Sequence, residues 1–221
     1  MKNVAIIVAG GKGRRMGKPK QFIKIAGKPM LAWTLSAFQR SKLVDGIVLV
    51  VSEDQVKLAK RLDQKKVIAI VSSGKERQDS VRNGLAHIPG SAETVLIHDG
   101  ARPAVSQRLI SESIKEAESF GAVVAAVPVK DTIKQITNNG TIIEKTLDRN
   151  LLWAAQTPQV FKAEIIKAAY AKLNENVTDD GMAVEKIGIQ VRIVMGDYIN
   201  IKVTTPEDLL VMGSILRKKG K

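Results

Sequence analysis

Short runs of β-branched and other apolar residues alternate along this chain with stretches whose apolar positions recur every three or four residues. The runs Val4–Val8, Gly46–Val51, Val67–Val71, Thr94–Ile97, Ala122–Val127 and Gln190–Val194 have the length and composition of strands. Between them the pattern predicts helices over Met30–Arg40, Glu53–Leu62, Arg77–Ala86, Gln107–Ser119, Lys162–Leu173 and Asp179–Ile187. A last helix spans Pro206–Arg217, with Thr205 as N-cap and Pro206 at the first helical position, where a missing N–H costs nothing. Strands that are apolar throughout are buried on both faces. Separated by helices, they predict an α/β fold with a mostly parallel, doubly wound sheet. No repeat or linker interrupts residues 1–221, so one domain is expected.

One segment breaks the alternation. Lys130–Ile136 and Thr141–Leu147 flank Asn138-Asn139-Gly140, and Asn-Gly between two β-leaning runs is a hairpin signal. The hairpin has too few apolar residues to fold against nothing. Residues 129–152 therefore form either an arm that packs on something, such as a second copy of the chain, or an edge hairpin on the same sheet.

Composition narrows the function classes. Hydrophobic residues make up 44% of the chain, enough for a substantial core. There is no cysteine, which removes disulfides, thiolate metal sites and thiol nucleophiles together. The apolar run after Met1 is too short for a signal segment or a membrane span, so a soluble cytoplasmic protein without a membrane partner is expected. The net charge of +13 suggests nucleic acid, but only 4% of residues are aromatic and no RNA- or DNA-binding signature is present. Ten Lys/Arg residues precede the first acidic residue, Asp45, and five of them fall within Lys12–Lys20. That concentration points to a small anionic ligand rather than to a nucleic acid.

Those five cations sit in a Gly-rich loop, Ala9–Lys20, directly after the first strand. Glycine lets backbone N–H groups approach phosphate oxygens. The spacing fits neither a P-loop, since five residues separate Gly11 from Gly17 and Pro19 follows Lys18, nor a dinucleotide fingerprint, whose third glycine would stand at Met16. Three further clusters follow strands or open helices. His98-Asp99-Gly100-Ala101-Arg102-Pro103 ends an apolar strand, where ligands of open α/β sheets bind. Asp99 there is a hard oxygen donor for Mg²⁺, and Arg102 suits an anion. His98 reads as a packing residue and His87 as a surface one. Gly74–Val81 opens a helix with Arg77 and Ser80 on one face. Asn200–Asp208 carries Lys202 between the apolar Ile201 and Val203.

Together the stretches AGGKGRRMG, PKQF, SGKERQDSVRNGL, HDGARP, VKDTIK, DRNLLWAAQTPQVF, TDD and NIKVTTPEDL closely resemble the 2-C-methyl-D-erythritol 4-phosphate cytidylyltransferases of the non-mevalonate isoprenoid pathway, over essentially the whole chain. The resemblance implies a Rossmann-like fold of the nucleotide-diphospho-sugar transferase type. It also implies Mg²⁺-dependent transfer of a cytidylyl group from CTP to methylerythritol phosphate, with release of pyrophosphate. Carried across, Arg15 and Lys20 correspond to residues that stabilise the transition state, and Arg149 and Lys202 to the pair that positions the acceptor phosphate. Ala9, Gly10, Gly11, Lys12, Gly13, Gly74, Arg77, Ser80 and Asp99 fall on the nucleotide side, with Asp99 associated with the metal. Arg102, Thr132, Arg149, Thr178 and Lys202 fall on the acceptor side. Thr132 and Arg149 correspond to arm residues that reach a neighbouring subunit's site, which implies a homodimer joined through the arm. Gly10, Ser73 and Gly100 depart from the family's common pattern of alanine, glycine and alanine.

The chemistry agrees with this composition. The acceptor is a phosphate monoester with a second pKa near ~6, largely dianionic at neutral pH, so no general base is required. The reaction needs charge neutralisation, which Lys, Arg and Mg²⁺ supply. The competing readings are a cytidylyltransferase for another polyol phosphate such as ribitol 5-phosphate, a non-catalytic nucleic-acid-binding protein, and a nucleotide sensor that keeps the loop without turnover.

Overall fold

The structure, a computed structural model, describes residues 1–11, 20–62, 64–137 and 140–219. Lys12, Gly13 and Arg15 of the basic loop lie outside the described residues, as do Asn138 and Asn139 of the hairpin turn.

The strands are β1 (Asn3–Ala9), β2 (Lys24–Ile25), β3 (Lys28–Pro29), β4 (Gly46–Val51), β5 (Val67–Ser72), β6 (Thr94–Asp99), β7 (Ala122–Pro128), β8 (Lys134–Ile136), β9 (Ile143–Thr146), β10 (Trp153–Lys162) and β11 (Arg192–Met195). The helices are α1 (Met30–Arg40), α2 (Val56–Lys60), α3 (Arg77–Leu85), α4 (Gln107–Phe120), α5 (Ala163–Lys172), α6 (Asp180–Glu185) and α7 (Pro206–Lys219). Seven strands form one sheet in the order β11-β7-β10-β6-β1-β4-β5. All neighbours are parallel except those of β10, which runs antiparallel to both β6 and β7. The mostly parallel Rossmann-like sheet is therefore present.

Alternate residues of β1 show why these strands are apolar throughout. Ala5, Ile7 and Ala9 belong to a core layer that includes Leu31, Leu35 and Phe38 of α1 and Leu109 and Ile110 of α4. Val4 and Ile6 belong to a second layer, with Val81 of α3, Ile166 and Tyr170 of α5 and Val184 of α6. A side-chain period of two feeds both faces of a sheet that helices cover on both sides.

Three segments fold differently from what their residue patterns suggest. Strand β10 is absent from the hydrophobic reading, because Gln156-Thr157-Pro158-Gln159 interrupts it like a loop. In the fold the register shifts between Ala155 and Gln159, so Pro158 sits at a bulge where a missing N–H is tolerated. The helix expected over Glu53–Leu62 is a 3-10 turn (Glu53–Gln55) followed by the short α2. The alternation around Lys202 is not a strand. Residues 201–204 run extended without ladder pairing, held by Val203 N–H donating to the Ala101 carbonyl at 2.9 Å.

The hairpin is a sheet of its own, β8 against β9, and not an edge of the large sheet. It leaves the end of β7 and returns into β10, where Trp153 pairs with Pro128 and Val129 N–H bonds the Leu152 carbonyl. Its apolar residues are uncovered. Ile136, Ile142, Ile143 and Leu151 are all at least half exposed, with Leu151 at 80%.

Candidate active site

The carboxyl ends of β1, β5 and β6 and the bulge of β10 converge on Asp99. Its backbone N–H donates to Thr157 Oγ1 at 3.1 Å, across the β6–β10 seam. Thr157 Oγ1 also lies 3.0 Å from His98 Nδ1, and His98 Nε2 lies 3.2 Å from the Arg102 carbonyl. These partners fit a neutral imidazole that accepts at Nδ1 and donates from Nε2. His98 has no solvent exposure and packs on Phe38, ring centroids 4.9 Å apart. Burial pushes its pKa down to about 4. It is a packing residue, as its position at a strand end suggests, and His87 is exposed.

The Asp99 carboxylate is gripped by three cations. Lys202 Nζ lies 2.8 Å from Oδ2, Arg77 Nε 3.2 Å from Oδ1 and Arg102 Nε 3.8 Å from Oδ2. Burial alone would raise its pKa. Arg77, Lys202 and Arg102 outweigh that and hold it well below the usual carboxylate range. Arg77, the first residue of α3, spans two carboxylates: its terminal nitrogens also form a bidentate pair with Asp180, at 3.1 and 2.8 Å. Asp180 is fully buried and accepts a further bond from the Tyr170 hydroxyl at 2.6 Å. The amide oxygen of Gln159 caps the Asp180 and Gly181 N–H groups, at 2.9 and 3.0 Å. Sheet, α3, α5 and α6 are thus tied through one ion network, which fixes where the Asp99 and Arg77 charges stand.

Lys202 is held from its own side. The Asp208 carboxylate accepts from the N–H groups of Thr204 and Thr205, at 2.7 and 2.9 Å, so the start of α7 anchors the extended segment. Lys20 Nζ donates to the Val203 carbonyl at 2.9 Å, which brings Lys20 beside Lys202.

Two cavities meet at this network. One, of about 260 Å³, is walled by Ala9, Gly10 and Gly11 on one side and Gly74 to Arg77 with Ser80 on the other; Lys20 and Gln21 also line it. The second, of about 210 Å³, is lined by Arg102, Ala155, Gln156, Thr157, Gln159, Thr178 and Asp179. Arg77, Asp99 and Lys202 line both. Larger grooves lie elsewhere, one of about 960 Å³ against α1 and α7, but none of these three charged residues lines it.

Gly74 and Ser80 work locally in the first cavity. Gly74 N–H donates to Ser80 Oγ at 3.1 Å, and the hydroxyl in turn donates to the Glu76 carbonyl at 3.1 Å. A Cβ on Gly74 would lie 2.2 Å from Asp79 Cβ, so this wall admits only glycine there. Among the described residues no group of three or more His, Asp or Glu side chains is arranged to hold a metal ion. Asp99 is the one carboxylate common to both cavities.

The sequence profile of the 2-C-methyl-D-erythritol 4-phosphate cytidylyltransferases matches residues 3–218. The chain belongs to this family. A cytidylyltransferase of that name from Dehalococcoides mccartyi is 51% identical over 98% of this chain and 96% of its own. One from Alkaliphilus metalliredigens is 45% identical over 99% and 94%. Among solved structures, the 4-diphosphocytidyl-2C-methyl-D-erythritol synthase of Anaerococcus prevotii superposes with a TM-score of 0.88 at 33% identity, covering 98% of this chain and 96% of that one. The Thermus thermophilus cytidylyltransferase gives 0.82 at 28%, covering 98% and 100%.

Within this cytidylyltransferase fold the site residues divide. Ala9, Gly10, Gly11, Lys20, Gly74, Arg77, Ser80, Asp99, Arg102, Thr178 and Lys202 line one or both cavities. Thr132 and Arg149 line neither. Both are exposed on the arm, where an Arg149 Nη donates to the Lys130 carbonyl at 2.8 Å. Asp180, Tyr170, Gln159 and Thr157 were not singled out in the sequence. TDD and TPQ contain three of them, but their partners are set by tertiary packing. Gly10 and Ser73 face each other: a Cβ on Gly10 would lie 2.1 Å from Ser73 Cβ.

Proposed function

We propose that the two cavities work as one cytidylyl-transfer site, and that an oxygen of methylerythritol phosphate attacks the α-phosphorus of CTP where they meet. The observation that carries this reading is the wall of Arg77, Asp99 and Lys202 shared by a glycine-walled cavity and a polar one. The first cavity suits a nucleoside triphosphate, since glycine at positions 10, 11 and 74 lets the backbone of both walls come close to phosphate oxygens. The second suits a phosphorylated polyol, with Arg102 for the phosphate and Thr157, Gln156 and Thr178 for hydroxyls.

In the reaction an acceptor phosphate oxygen forms a bond to the α-phosphorus, the bond to the β-phosphate oxygen breaks, and pyrophosphate leaves. The attacking oxygen already carries charge, so no side chain has to take a proton. The buried, neutral His98 has no part in it. Lys20 and Lys202 supply positive charge to the α-phosphoryl oxygens, fixed before substrate arrives by the Val203 carbonyl and by Asp99. Arg15 has the same role by family correspondence. Magnesium, if it accompanies CTP, would find in Asp99 a hard oxygen donor. It would offset negative charge on the triphosphate, and one carboxylate shared by both cavities suits an ion that arrives with the nucleotide.

The arm supports a dimeric enzyme. Thr132 and Arg149 touch neither cavity of their own chain, while Ile136, Ile142 and Ile143 offer an uncovered apolar face. In this reading a second copy covers that face and receives Arg149 at its acceptor cavity. The proposed location is the cytoplasm, consistent with a chain that has no cysteine to oxidise; no helix among the described residues is long and apolar enough to cross a membrane.

A pyrophosphate-release assay with four nucleoside triphosphates against methylerythritol phosphate and ribitol 5-phosphate tests the reading. Release is expected with CTP and methylerythritol phosphate together. Equal kcat/KM for ribitol 5-phosphate would move the acceptor assignment. No release with any pair, together with salt-dependent RNA or DNA binding, would favour the nucleic-acid reading.

A further inference from the structure

The end of the sheet beneath the nucleotide cavity contains a contact that strand order does not predict. Strands β1 and β5 are not neighbours; β4 lies between them. Ala9, Val51 and Ser72 form the last shared row of the ladder. One residue further, Gly10 and Ser73 stand on either side of Ser52, where β4 leaves the sheet for the 3-10 turn at Glu53–Gln55. Flat strands two apart would be separated by roughly 9–10 Å. Here the two chains close over the end of β4 until the Ser73 side chain occupies the space above the Gly10 Cα. A Cβ on Gly10 would meet Ser73 Cβ at 2.1 Å and Ser73 Oγ at 2.4 Å. No side chain fits there unless Ser73 moves. Ser73 is not free to move, since its N–H donates to the Val51 carbonyl at 2.7 Å and the next N–H, of Gly74, is bound to Ser80 Oγ.

The two residues joined in this way belong to the two facing walls of the nucleotide cavity. Gly10 leads into Gly11 and the basic loop; Ser73 leads into Gly74 and the turn that carries Arg77. We propose that Ser73 is a positioning residue for CTP: its side chain, seated on Gly10, sets the separation between the Gly10–Gly11 wall and the Gly74–Arg77 turn. The proposal rests on the reading of this cavity as the CTP site. Ser73 acts through the walls and is not among the residues that line the cavity.

The geometry makes a reciprocal prediction. Gly10→Ala forces the walls apart, and Ser73→Gly leaves them without a spacer. Combined, they restore contact from the opposite side, because the methyl group added at position 10 lies 3.5 Å from the Cα of residue 73, ordinary van der Waals contact. Ser73→Ala keeps the Cβ and serves as the conservative control.

The test is a double-mutant cycle on CTP affinity by calorimetry, with kcat and ligand-free thermal unfolding measured on the same proteins. Gly10→Ala is expected to weaken CTP binding about tenfold, Ser73→Gly about threefold, and the pair to return within about twofold of the parent, a coupling of the size contacting residues show. Ser73→Ala is expected within about twofold of the parent. The change should fall on CTP affinity and KM, with kcat at saturating CTP nearly constant. A pair as weak as the product of the two single effects overturns the proposal, and so does a Ser73→Ala effect as large as that of Ser73→Gly. If Gly10→Ala does not fold, the pair decides: a folded pair that binds CTP upholds the contact, and an unfolded pair overturns it. If the parent itself fails to bind CTP, the CTP assignment falls. The contact then stands or falls on the same cycle read in ligand-free unfolding, where recovery in the pair upholds it and additivity overturns it.

Discussion

At the carboxyl end of β6, Asp99 is bound to Lys202, Arg77 and Arg102, and Arg77 is in turn bound to the fully buried Asp180. On the arm, Arg149 stands exposed beside Leu151, and the strands that carry it turn their isoleucines to solvent. The floor of the site is finished within one chain, its charges positioned before any ligand arrives, as electrostatic catalysis requires. The arm's apolar residues find no cover in its own chain among the described residues. Damage to the floor should therefore fall on the chemical step and on stability, and damage to the arm on acceptor binding and association.

The largest effect is expected at Lys20. Lys20→Ala should lower kcat by about 10²–10³-fold, the range for one lost transition-state donor, while the protein still folds. Near-normal turnover by a folded Lys20→Ala protein would remove Lys20 from the chemistry.

Acid should reach the floor through His98. Its pKa in the fold, about 4, lies below the ordinary value, so between pH ~6.5 and ~4 the unfolded chain holds a proton that the native one does not. Stability is then fully present above pH ~6.5 and falls as the pH drops towards ~4, by up to about 3 kcal/mol. Asp99, depressed by its cations, adds a loss in the same direction only at lower pH, beneath the ordinary carboxylate range. Urea unfolding of the parent and of His98→Gln across pH 7 to 4 checks the sign: the parent should lose stability in this window and the variant much less. A parent whose stability is flat there would show that His98 is not held neutral by the fold.

A smaller and more selective effect is expected on the arm. Arg149→Ala should raise the KM for methylerythritol phosphate about tenfold, the loss of one charge-assisted contact, and leave CTP affinity near the parent's. An effect confined to CTP would place Arg149 on the wrong side of the site.

The two regions also differed in how far they could be read from the residues. Apolar runs such as Val4–Val8 and Gly46–Val51 identify the parallel strands because burial on both faces leaves no polar position. The charges at their ends, Asp99 and Arg77, follow from the rule that ligands bind there. Strand β10 was hidden because its centre, Gln156 to Gln159, is polar for a tertiary reason. Gln159 caps α6 and bonds Asp179, and the Gln156 amide reaches the Asp197 carbonyl. Asp180 was hidden in another way: an acidic residue at a helix start reads as a cap, and only folding brings Arg77 and Tyr170 to it. The hairpin was legible from Asn-Gly, but arm and edge hairpin share one composition, and the chain's path out of β7 decides between them. That Gly10 and Ser73 touch could not be seen at all, since the contact crosses a strand.

Subunit mixing bears most directly on the claim that one chain supplies the floor and another the arm. Lys20→Ala damages only the floor and Arg149→Ala only the arm. In a random mixture half the dimers are mixed, and each mixed dimer keeps one of two sites whole. With methylerythritol phosphate held well below its KM, where Lys20→Ala is nearly silent and Arg149→Ala runs at about a tenth of the parent's rate, pyrophosphate release should therefore recover to about one quarter of the parent's rate after the two proteins are co-refolded in equal amounts. A mixture no more active than either variant alone would contradict the account and make each chain's site self-contained.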